Sequence, residues 1–318
     1  MSIPVAPWAA GIGLGALGLA GLCLGTPFVA PQDLLTGDAV AGVVVWELRV
    51  PRVLVGLAGG AAIGAAGLLL QESLRNPLAV PEMIGVSTGA ALAVGVCVVW
   101  ALPVPFPLYP VMGLLGAVAG GLLTLAAARA ARTAGGVLLV GAAVSSAIQA
   151  LLLAVMATAD RLQYDMLFRY LVGSLSGLMW EQAGRTLPWL AAALPLVVLC
   201  VPALGLLRLG DDAAASLGSR VHRARLGVLT VAALLVGCVT GPCGPVAWVG
   251  LLAPLLARRL RPRADARTWL PWSAAFGALV TLAADLAARL AFAPVETPLG
   301  AWTALAGVVA AAVLVRRA

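Results

Sequence analysis

The chain has 318 residues, of which 62% are hydrophobic and 10% are charged, and its mean hydropathy is +1.04. A soluble domain is usually about 45–50% apolar and about 25% charged. The apolar surface is too large for one water-soluble core, so the composition indicates an integral membrane protein. The net charge of +7 comes from 20 arginines scattered between apolar runs. Because they form no basic stripe with interleaved aromatic residues, we expect no nucleic-acid partner.

The apolar runs have the length of membrane-spanning helices. A bilayer core of about 30 Å requires about 20 apolar residues as helix, and lipid disfavours open strands because backbone groups must be satisfied internally. The sequence therefore predicts an all-α membrane protein, one transmembrane domain over residues 1–318, with about ten spans. The expected spans are 8–25, 51–71, 84–102, 110–131, 137–158, 186–207, 225–240, 246–260, 270–291 and 300–316. The motif "GPCGP" interrupts the seventh and eighth, which otherwise resemble one long helix.

The first and second spans carry further signals. No basic region precedes the first apolar run, so we expect that span to be retained rather than cleaved as a signal peptide. In the second span Gly56, Gly60 and Gly64 recur at every fourth position. Small residues at this spacing allow helices to approach closely, which predicts a helix at the centre of a bundle.

Arginine placement predicts the orientation. With ten spans and both termini in the cytoplasm, inner segments carry 14 of the 20 arginines, including Arg132, Arg316 and Arg317. This excess agrees with the positive-inside rule. Six arginines then lie outside, against the rule: Arg49, Arg52, Arg161, Arg169, Arg185 and Arg289.

Motifs for chemistry are absent from the sequence. It has no Walker A pattern, nucleophile elbow or zinc motif, and neither its five cysteines nor His222 form a metal-binding pattern. We expect no catalytic residue, no bound metal and no membrane-embedded enzyme.

Four acids fall near apolar segments: Glu47, Glu72, Asp285 and Glu296. Asp285 and Arg289 have i,i+4 spacing, which favours an ion pair near a helix end over a proton relay. Without a proton relay, we expect a partner protein to supply the energy for transport.

The segment 207–226, "LRLGDDAAASLGSRVHRARL", predicts a cytoplasmic docking site for such a partner. Asp211 and Asp212 suit the start of a short helix, because acids are favourable at the positive end of the dipole. Gly218 suits its end. An ordinary solvated loop is the alternative.

Several blocks resemble one family. "LRVPRVLVGLAGGAAIGAAGLLLQESLRNPLAVPEMIGVSTGA", "LGDDAAASLG", "GPVAWVGLLAPLLARRL", "ADLAARL" and "ETPLGAWTALAG" resemble the FecCD-type (type II) permeases of bacterial ABC importers for iron-siderophores, haem and vitamin B12. Within it, "GDDAAASLG" and "SLSGLMW" are most similar to permeases for catecholate siderophores such as enterobactin. The resemblance implies a fold like that of the vitamin B12 permease, in the bacterial plasma (inner) membrane. It also implies three kinds of partner: a second permease chain, two cytoplasmic ATPases that hold ATP and Mg, and an external substrate-binding protein.

The resemblance also implies roles for residues. Docking of the binding protein falls on Arg49, Arg52 and Arg289, for which contact with lipid headgroups is the alternative. The cytoplasmic gate falls on Asn76, Pro77 and Leu78, with Ser145, Ser146 and Gln149 near the start of the fifth span. Contact with the ATPase falls on Leu209, Gly210, Asp211, Asp212, Ala215, Leu217 and Gly218.

Two positions depart from the family pattern. Leu255 replaces the usual histidine after Pro254, and Trp248 replaces the usual phenylalanine.

The expected function is uptake of an iron(III)-siderophore, with haem or cobalamin as alternative cargo within the family. An ion-coupled secondary carrier is the alternative from another class.

Overall fold

The structure is a computed structural model that describes residues 7–30, 32–33, 39–105, 108–129, 131 and 133–315. Arg132, Arg316 and Arg317, which enter the orientation argument, lie outside the described residues. The helices are α1 (Pro7–Cys23), α2 (Ala39–Val43), α3 (Val50–Ser73), α4 (Val86–Val99), α5 (Tyr109–Ala128), α6 (Ala134–Met156), α7 (Arg161–Val172), α8 (Trp180–Arg208), α9 (Asp211–Ser216), α10 (Val221–Cys243), α11 (Val249–Leu260), α12 (Ala266–Leu290) and α13 (Leu299–Val315).

A helix overlaps each of the ten expected spans. Six helical segments of the described chain are long and apolar enough to cross a bilayer: Val40–Ser73, Val111–Ala128, Gly135–Met156, Trp180–Arg208, Val221–Cys243 and Ala266–Leu290. Trp8–Cys23, Val86–Val99 and Leu299–Ala310 are shorter apolar helices. The chain is therefore an all-helical, multi-pass membrane protein throughout the part that the structure describes.

Helix α3 forms the centre of the bundle, as its glycines predict. The apolar window within Val40–Ser73 is 78% buried, compared with 22% for the window in α6. A Cβ at Gly64 would collide with the carbonyl oxygen of Ser273 in α12, and one at Gly67 would collide with that of Gly250 in α11. The absence of side chains thus lets α3 lie directly against two backbones.

Three local features were not expected from the sequence, and a fourth confirms the break that the motif "GPCGP" predicts. A π-helical stretch, Val44–Arg49, joins α2 to α3. A 3₁₀ helix, Pro81–Ile84, precedes α4, and the short helix α7 lies between the fifth and sixth spans. Between α10 and α11 the backbone turns at Gly244 and Trp248, both with positive φ, so the motif "GPCGP" ends one helix and a second begins.

Many large apolar side chains face outward. On α5, α6 and α8 they include Leu122, Leu139, Leu153, Val198 and Leu199, which are all more than half exposed. An exposed apolar surface of this extent is unusual for a water-soluble monomer. Lipid or another membrane helix is the natural environment for these faces.

Candidate functional site

Charged residues cluster at both ends of α3, which has 24 residues and is about 36 Å long. At its N-terminal end the Arg52 cluster consists of Arg49, Arg52, Asp285, Arg289 and Glu296. Arg52 Nη2 lies 2.8 Å from Asp285 Oδ1, and Arg289 Nη2 lies 2.8 Å from Asp285 Oδ2. The expected i,i+4 pair of Asp285 with Arg289 is therefore present. Arg52, from a distant part of the chain, binds the same carboxylate.

Glu296 is the second acid of this cluster. Arg52 Nη1 donates to Glu296 Oε2 at 3.0 Å, and Ser176 Oγ donates to the same oxygen. Partial burial raises the pKa of Glu296, but the Ser176 hydrogen bond and the positive charge of Arg52 outweigh it and hold the pKa below its usual value. Three arginines thus face two carboxylates, which leaves a net positive charge.

Arg49 binds the backbone instead of an acid. Its Nη1 donates to the carbonyl oxygens of Leu22 at 2.8 Å and Cys23 at 3.0 Å, and its Nη2 donates to that of Pro27. The end of α1 has carbonyls without intrahelical partners, and the guanidinium satisfies them. Arg49 therefore fixes the chain after α1 against the start of α3.

The three arginines are buried but line a cavity. Arg49, Arg52 and Arg289 are 5, 8 and 6% exposed. All three line a cavity of about 290 Å³, together with Glu296 and Ser176. In this chain their guanidinium groups lie under the surface and make internal contacts.

At the other end of α3, arginines from three helices converge on its last turn, an arrangement we term the α3 clamp. Arg258 of α11 donates to Gln71 Oε1 at 2.6 Å and to Glu72 Oε1 at 2.8 Å. Arg208 of α8 lies 3.9 Å from Glu72 Oε2. Cations are favourable at a helix C-terminus, so these arginines stabilise the end of α3 as well as the buried acid.

Arg225 of α10 is the third arginine of the α3 clamp. Its side chain is 3% exposed, and its Nε donates to the carbonyl oxygen of Ser73 at 3.1 Å. Its Nη2 donates to Asp211 Oδ1 at 2.7 Å. One guanidinium therefore joins the last residue of α3 to the first residue of α9.

The turn after α3 has a defined geometry. Arg75 adopts a positive φ of 49°, and the amides of Arg75 and Asn76 donate to the carbonyl oxygens of Glu72 and Gln71. Asn76 Oδ1 then accepts a hydrogen bond from the Leu78 amide at 2.9 Å. Pro77 and Leu78 are exposed at the tip of this turn.

The residues expected near the second gate lie near the middle of α6 rather than at the start of the span. Ser145 Oγ donates to the carbonyl oxygen of Glu82 at 3.0 Å and accepts from the Gly85 amide at 2.9 Å. Ser145 thus attaches the 3₁₀ helix to α6. Ser146 and Gln149 are exposed on the outer side of the helix, so only these two are available to another molecule.

The segment expected to contact the ATPase forms the short helix α9. It starts at Asp211, as expected, and the amides of Gly218 and Ser219 donate to the carbonyl oxygens of Ala215 and Ala214. Gly218 has a φ of +81°, which is the C-terminal stop that the glycine predicts. Apart from Ala214, the side chains from Asp212 to Gly218 are exposed, including those of Ala215 and Leu217. Leu209 and Gly210, which precede α9, differ in exposure: Leu209 is 59% exposed, whereas Gly210 is buried.

The two departures from the family pattern have different explanations. Trp248 lies against α13 at Gly307, where a Cβ would collide with the indole ring. The missing side chain at residue 307 therefore provides the room for tryptophan. Leu255 is partly buried in α11, and nothing in the structure explains the replacement of histidine.

The sequence did not identify the acceptors that the arginines of the α3 clamp bind. Arg225 and Arg258 belong to the 14 arginines of the inner segments, and each makes two hydrogen bonds to α3 or α9. The only available signal was the position of Gln71, Glu72 and Ser73 at the end of an apolar helix, where polar residues need partners.

The chain is thus a helical membrane bundle with a central glycine-rich helix and charged residues at both ends of that helix. Residues 13–317 match the FecCD transport family, and the chain belongs to it. The chain is 33% identical to the Fe(3+)-citrate import system permease protein YfmE of Bacillus subtilis (strain 168), over 93% of this chain and 87% of that protein. It is 37% identical to the vitamin B12 import system permease protein BtuC of Vibrio cholerae, over 83% and 80% of the two chains.

A solved structure has a similar fold. It is described as an inward-facing conformation of a metal-chelate type ABC transporter, and it superposes with a TM-score of 0.87 at 25% identity, covering 98% of both chains. The family resemblance noted from the sequence is therefore confirmed. This chain is a transport permease of the ABC importer type.

Proposed function

We propose that the chain is the permease of a binding-protein-dependent ABC importer that moves an iron(III)-siderophore into the cytoplasm by ATP-driven alternating access. The observation that carries this proposal is the family match over residues 13–317. ATP and Mg belong to a partner ATPase, so the chain itself is not an enzyme. It has ten membrane crossings with both termini in the cytoplasm of a bacterium and lies in its plasma membrane.

In this orientation the Arg52 cluster faces outward and receives the binding protein. The cavity of about 290 Å³ lined by Arg49, Arg52 and Arg289 supports this role, because the cluster carries one more arginine than acid. A concave site of one charge with low-dielectric walls focuses its field on an approaching partner. An acidic side chain of the binding protein enters this cavity and sets the register of the complex.

The polar residues on the exposed side of α6 support a second permease chain. Ser146 and Gln149 are exposed near the middle of a 23-residue apolar helix. Exposing polar groups to lipid without hydrogen-bond partners is unfavourable, so this face lines a cavity between two permease chains through which the chelate passes. The turn at Asn76, Pro77 and Leu78 closes its cytoplasmic end.

Helix α9 and its flanking residues contact the ATPase. The side chains of Ala215 and Leu217 are exposed on a helix of only six residues, although an isolated helix of this length is marginal in water. The ATPase covers these side chains and moves α9 during its cycle.

The cargo class rests on the relatives. One relative is named for Fe(3+)-citrate and another for vitamin B12 at similar identity, so cobalamin and haem remain the second candidates.

The test is uptake by proteoliposomes that contain the permease, its copurifying ATPase and the binding protein. Radiolabelled ferric enterobactin, ferric citrate, haemin and vitamin B12 are supplied outside. We expect ATP-dependent uptake of a ferric siderophore. Uptake of only vitamin B12 or haemin would overturn the cargo, and uptake abolished by an uncoupler but insensitive to ATP would favour a secondary carrier.

Docking is tested separately. Arg49→Glu together with Arg52→Glu reverses the charge of the cluster, and Arg49→Gln removes one charge with less disturbance. Arg185→Gln is the matched control, because Arg185 is exposed and pairs with Glu181 near the same end of the bundle. We expect weaker association of the binding protein for the cluster variants, measured by surface plasmon resonance on folded permease. Unchanged association in the double variant would contradict the docking role.

A further inference from the structure

The α3 clamp and α9 share one carboxylate. Asp211 Oδ1 accepts from Arg225 Nη2 at 2.7 Å and lies 3.9 Å from Arg75 Nη2. Arg225 also holds the carbonyl oxygen of Ser73 at 3.1 Å. Asp211 is therefore connected to α3 on one side and to the turn after α3 on the other.

The two connections differ in rigidity. The Arg225 side chain is 3% exposed, whereas that of Arg75 is 47% exposed. A charge-assisted hydrogen bond inside the protein is stronger and less screened than one at the surface. Arg225 is consequently the stiffer connection, whereas Arg75, whose own backbone has a positive φ, makes the weaker one.

The carbonyl oxygen of Ser73, which Arg225 binds, has no hydrogen-bond partner within α3. The carbonyl oxygens of Gln71 and Glu72 accept from the amides of Asn76 and Arg75. Ser73 is the last residue of α3, where a carbonyl needs a partner from outside the helix. Arg225 supplies that partner three residues before the turn at Asn76, so movement of the Arg225 guanidinium acts directly on the end of α3.

We propose that Asp211 and Arg225 form a mechanical link that transmits movement of α9 to the turn at Asn76, Pro77 and Leu78. Arg225 is a positioning residue: it holds Ser73 and Asp211 at the same time, so α9 and the end of α3 move together. Lysine in its place carries the charge but has no second nitrogen in a fixed plane, so it cannot hold both partners. This inference rests on the proposed function, since it requires an ATPase that moves α9.

The experiment uses the complex of the permease with its copurifying ATPase, in vesicles of phosphatidylethanolamine and phosphatidylglycerol. Leu78→Cys places a thiol at the exposed tip of the turn, and a fluorescent maleimide reports its accessibility with ATP, with ATP plus vanadate and without nucleotide. The five native cysteines are buried or partly buried, and the chain without Leu78→Cys gives their background. The tested variants are Asp211→Asn and Arg225→Lys. Arg223→Lys is the matched control, being the same substitution at an exposed residue of the same helix.

We expect the labelling rate of the parent complex and of Arg223→Lys to change with nucleotide. In Arg225→Lys the ratio of the rates with and without ATP moves to one, while the ATPase still copurifies and hydrolyses ATP. The ratio also moves to one in Asp211→Asn. Asp211→Glu, which retains a carboxylate, keeps part of the response. A purely structural role would not separate hydrolysis from movement of the turn.

Two results overturn the link in distinguishable ways. If the parent complex responds to nucleotide and Asp211→Asn responds equally, the link is wrong and the proposed function stands. If the parent complex contains no ATPase or shows no response to nucleotide, the proposed function fails and the link fails with it. Should Arg225→Lys not fold, Asp211→Asn carries the test, because Asp211 is one-third exposed and asparagine has the same shape.

Discussion

Arg52 and Asp285, which are 233 residues apart in the chain, meet in a buried ion pair with an N–O distance of 2.8 Å. The pair joins the first turn of α3 to α12. Asp285 also pairs with Arg289 one turn later at 2.8 Å. One carboxylate therefore separates two buried guanidinium groups, and the packing of the two helices depends on its charge.

The first prediction concerns this shared acid. Asp285→Asn removes the acid that Arg52 and Arg289 share and leaves Glu296 as the remaining carboxylate of the cluster, and breaking a buried pair typically costs about 3–5 kcal/mol. We expect a clear fall in the thermal unfolding midpoint of the purified permease in detergent. Glu181→Gln is the control, because Glu181 and Arg185 form an exposed pair at 2.9 Å and such pairs contribute about 0–1 kcal/mol. Equal losses for both variants would contradict the structural role of Asp285.

The second prediction concerns the contact of α3 with α12. In Gly64→Ala the new methyl group collides with the carbonyl oxygen of Ser273 and lies 3.1 Å from the Cα of Gly277, so the helices must separate. Overpacking of this kind typically costs about 1–3 kcal/mol. Gly227→Ala in α10 is the control, because nothing lies within 4 Å of its added Cβ and alanine is the better helix former. Thermal unfolding compares the two variants; equal stability would show that the contact of α3 with α12 tolerates a methyl group.

Much of the fold could be predicted because it depends on local patterns. The length of the apolar runs indicates the helices, and the spacing of Gly56, Gly60 and Gly64 indicates a central position for α3. The pair of Asp285 and Arg289 was also accessible, since residues four apart lie on one face of a helix. The helix start at Asp211 and its end at Gly218 follow from capping preferences.

The rest of the candidate site depends on contacts that have no local pattern. The ion pair of Arg52 with Asp285 requires the packing of two distant helices. Arg49 and Arg225 bind backbone carbonyl oxygens, which every residue carries, so no residue type marks the acceptors. Ser145 is held at mid-helix by its bonds to the 3₁₀ helix, and these bonds to backbone groups likewise have no local pattern.

The third prediction concerns the pH dependence of stability near Glu296. Burial alone raises the pKa of this carboxyl, but the hydrogen bond from Ser176 and the charge of Arg52 hold the pKa below its usual value. A depressed pKa in the folded state gives stability that is present above about pH 4.5 and is lost as the pH falls through the folded value. We therefore expect Glu296→Gln to lower the unfolding midpoint at neutral pH and the difference from wild type to shrink in acid.

Ser176→Ala provides the comparison for this prediction. It removes one hydrogen bond from Glu296 but keeps the carboxylate and its pairing with Arg52. We expect a smaller loss at neutral pH than in Glu296→Gln. A gap between Glu296→Gln and wild type that stays constant from neutral to acidic pH would show that ionisation of Glu296 does not contribute.

The fourth prediction concerns the fit of Trp248 against α13. Gly307→Ala places a methyl group in the indole ring, so α13 must move away from the turn that precedes α11. Trp248→Ala alone removes a large side chain and leaves a cavity, which also destabilises the fold. In the double variant the clash is gone, so Gly307→Ala should cost less than it does in wild type. Residues in contact typically show interaction energies of about 0.5–3 kcal/mol in such cycles, and thermal or denaturant unfolding of the four proteins measures the value. Additive losses would mean that the tryptophan does not occupy the space that Gly307 leaves open.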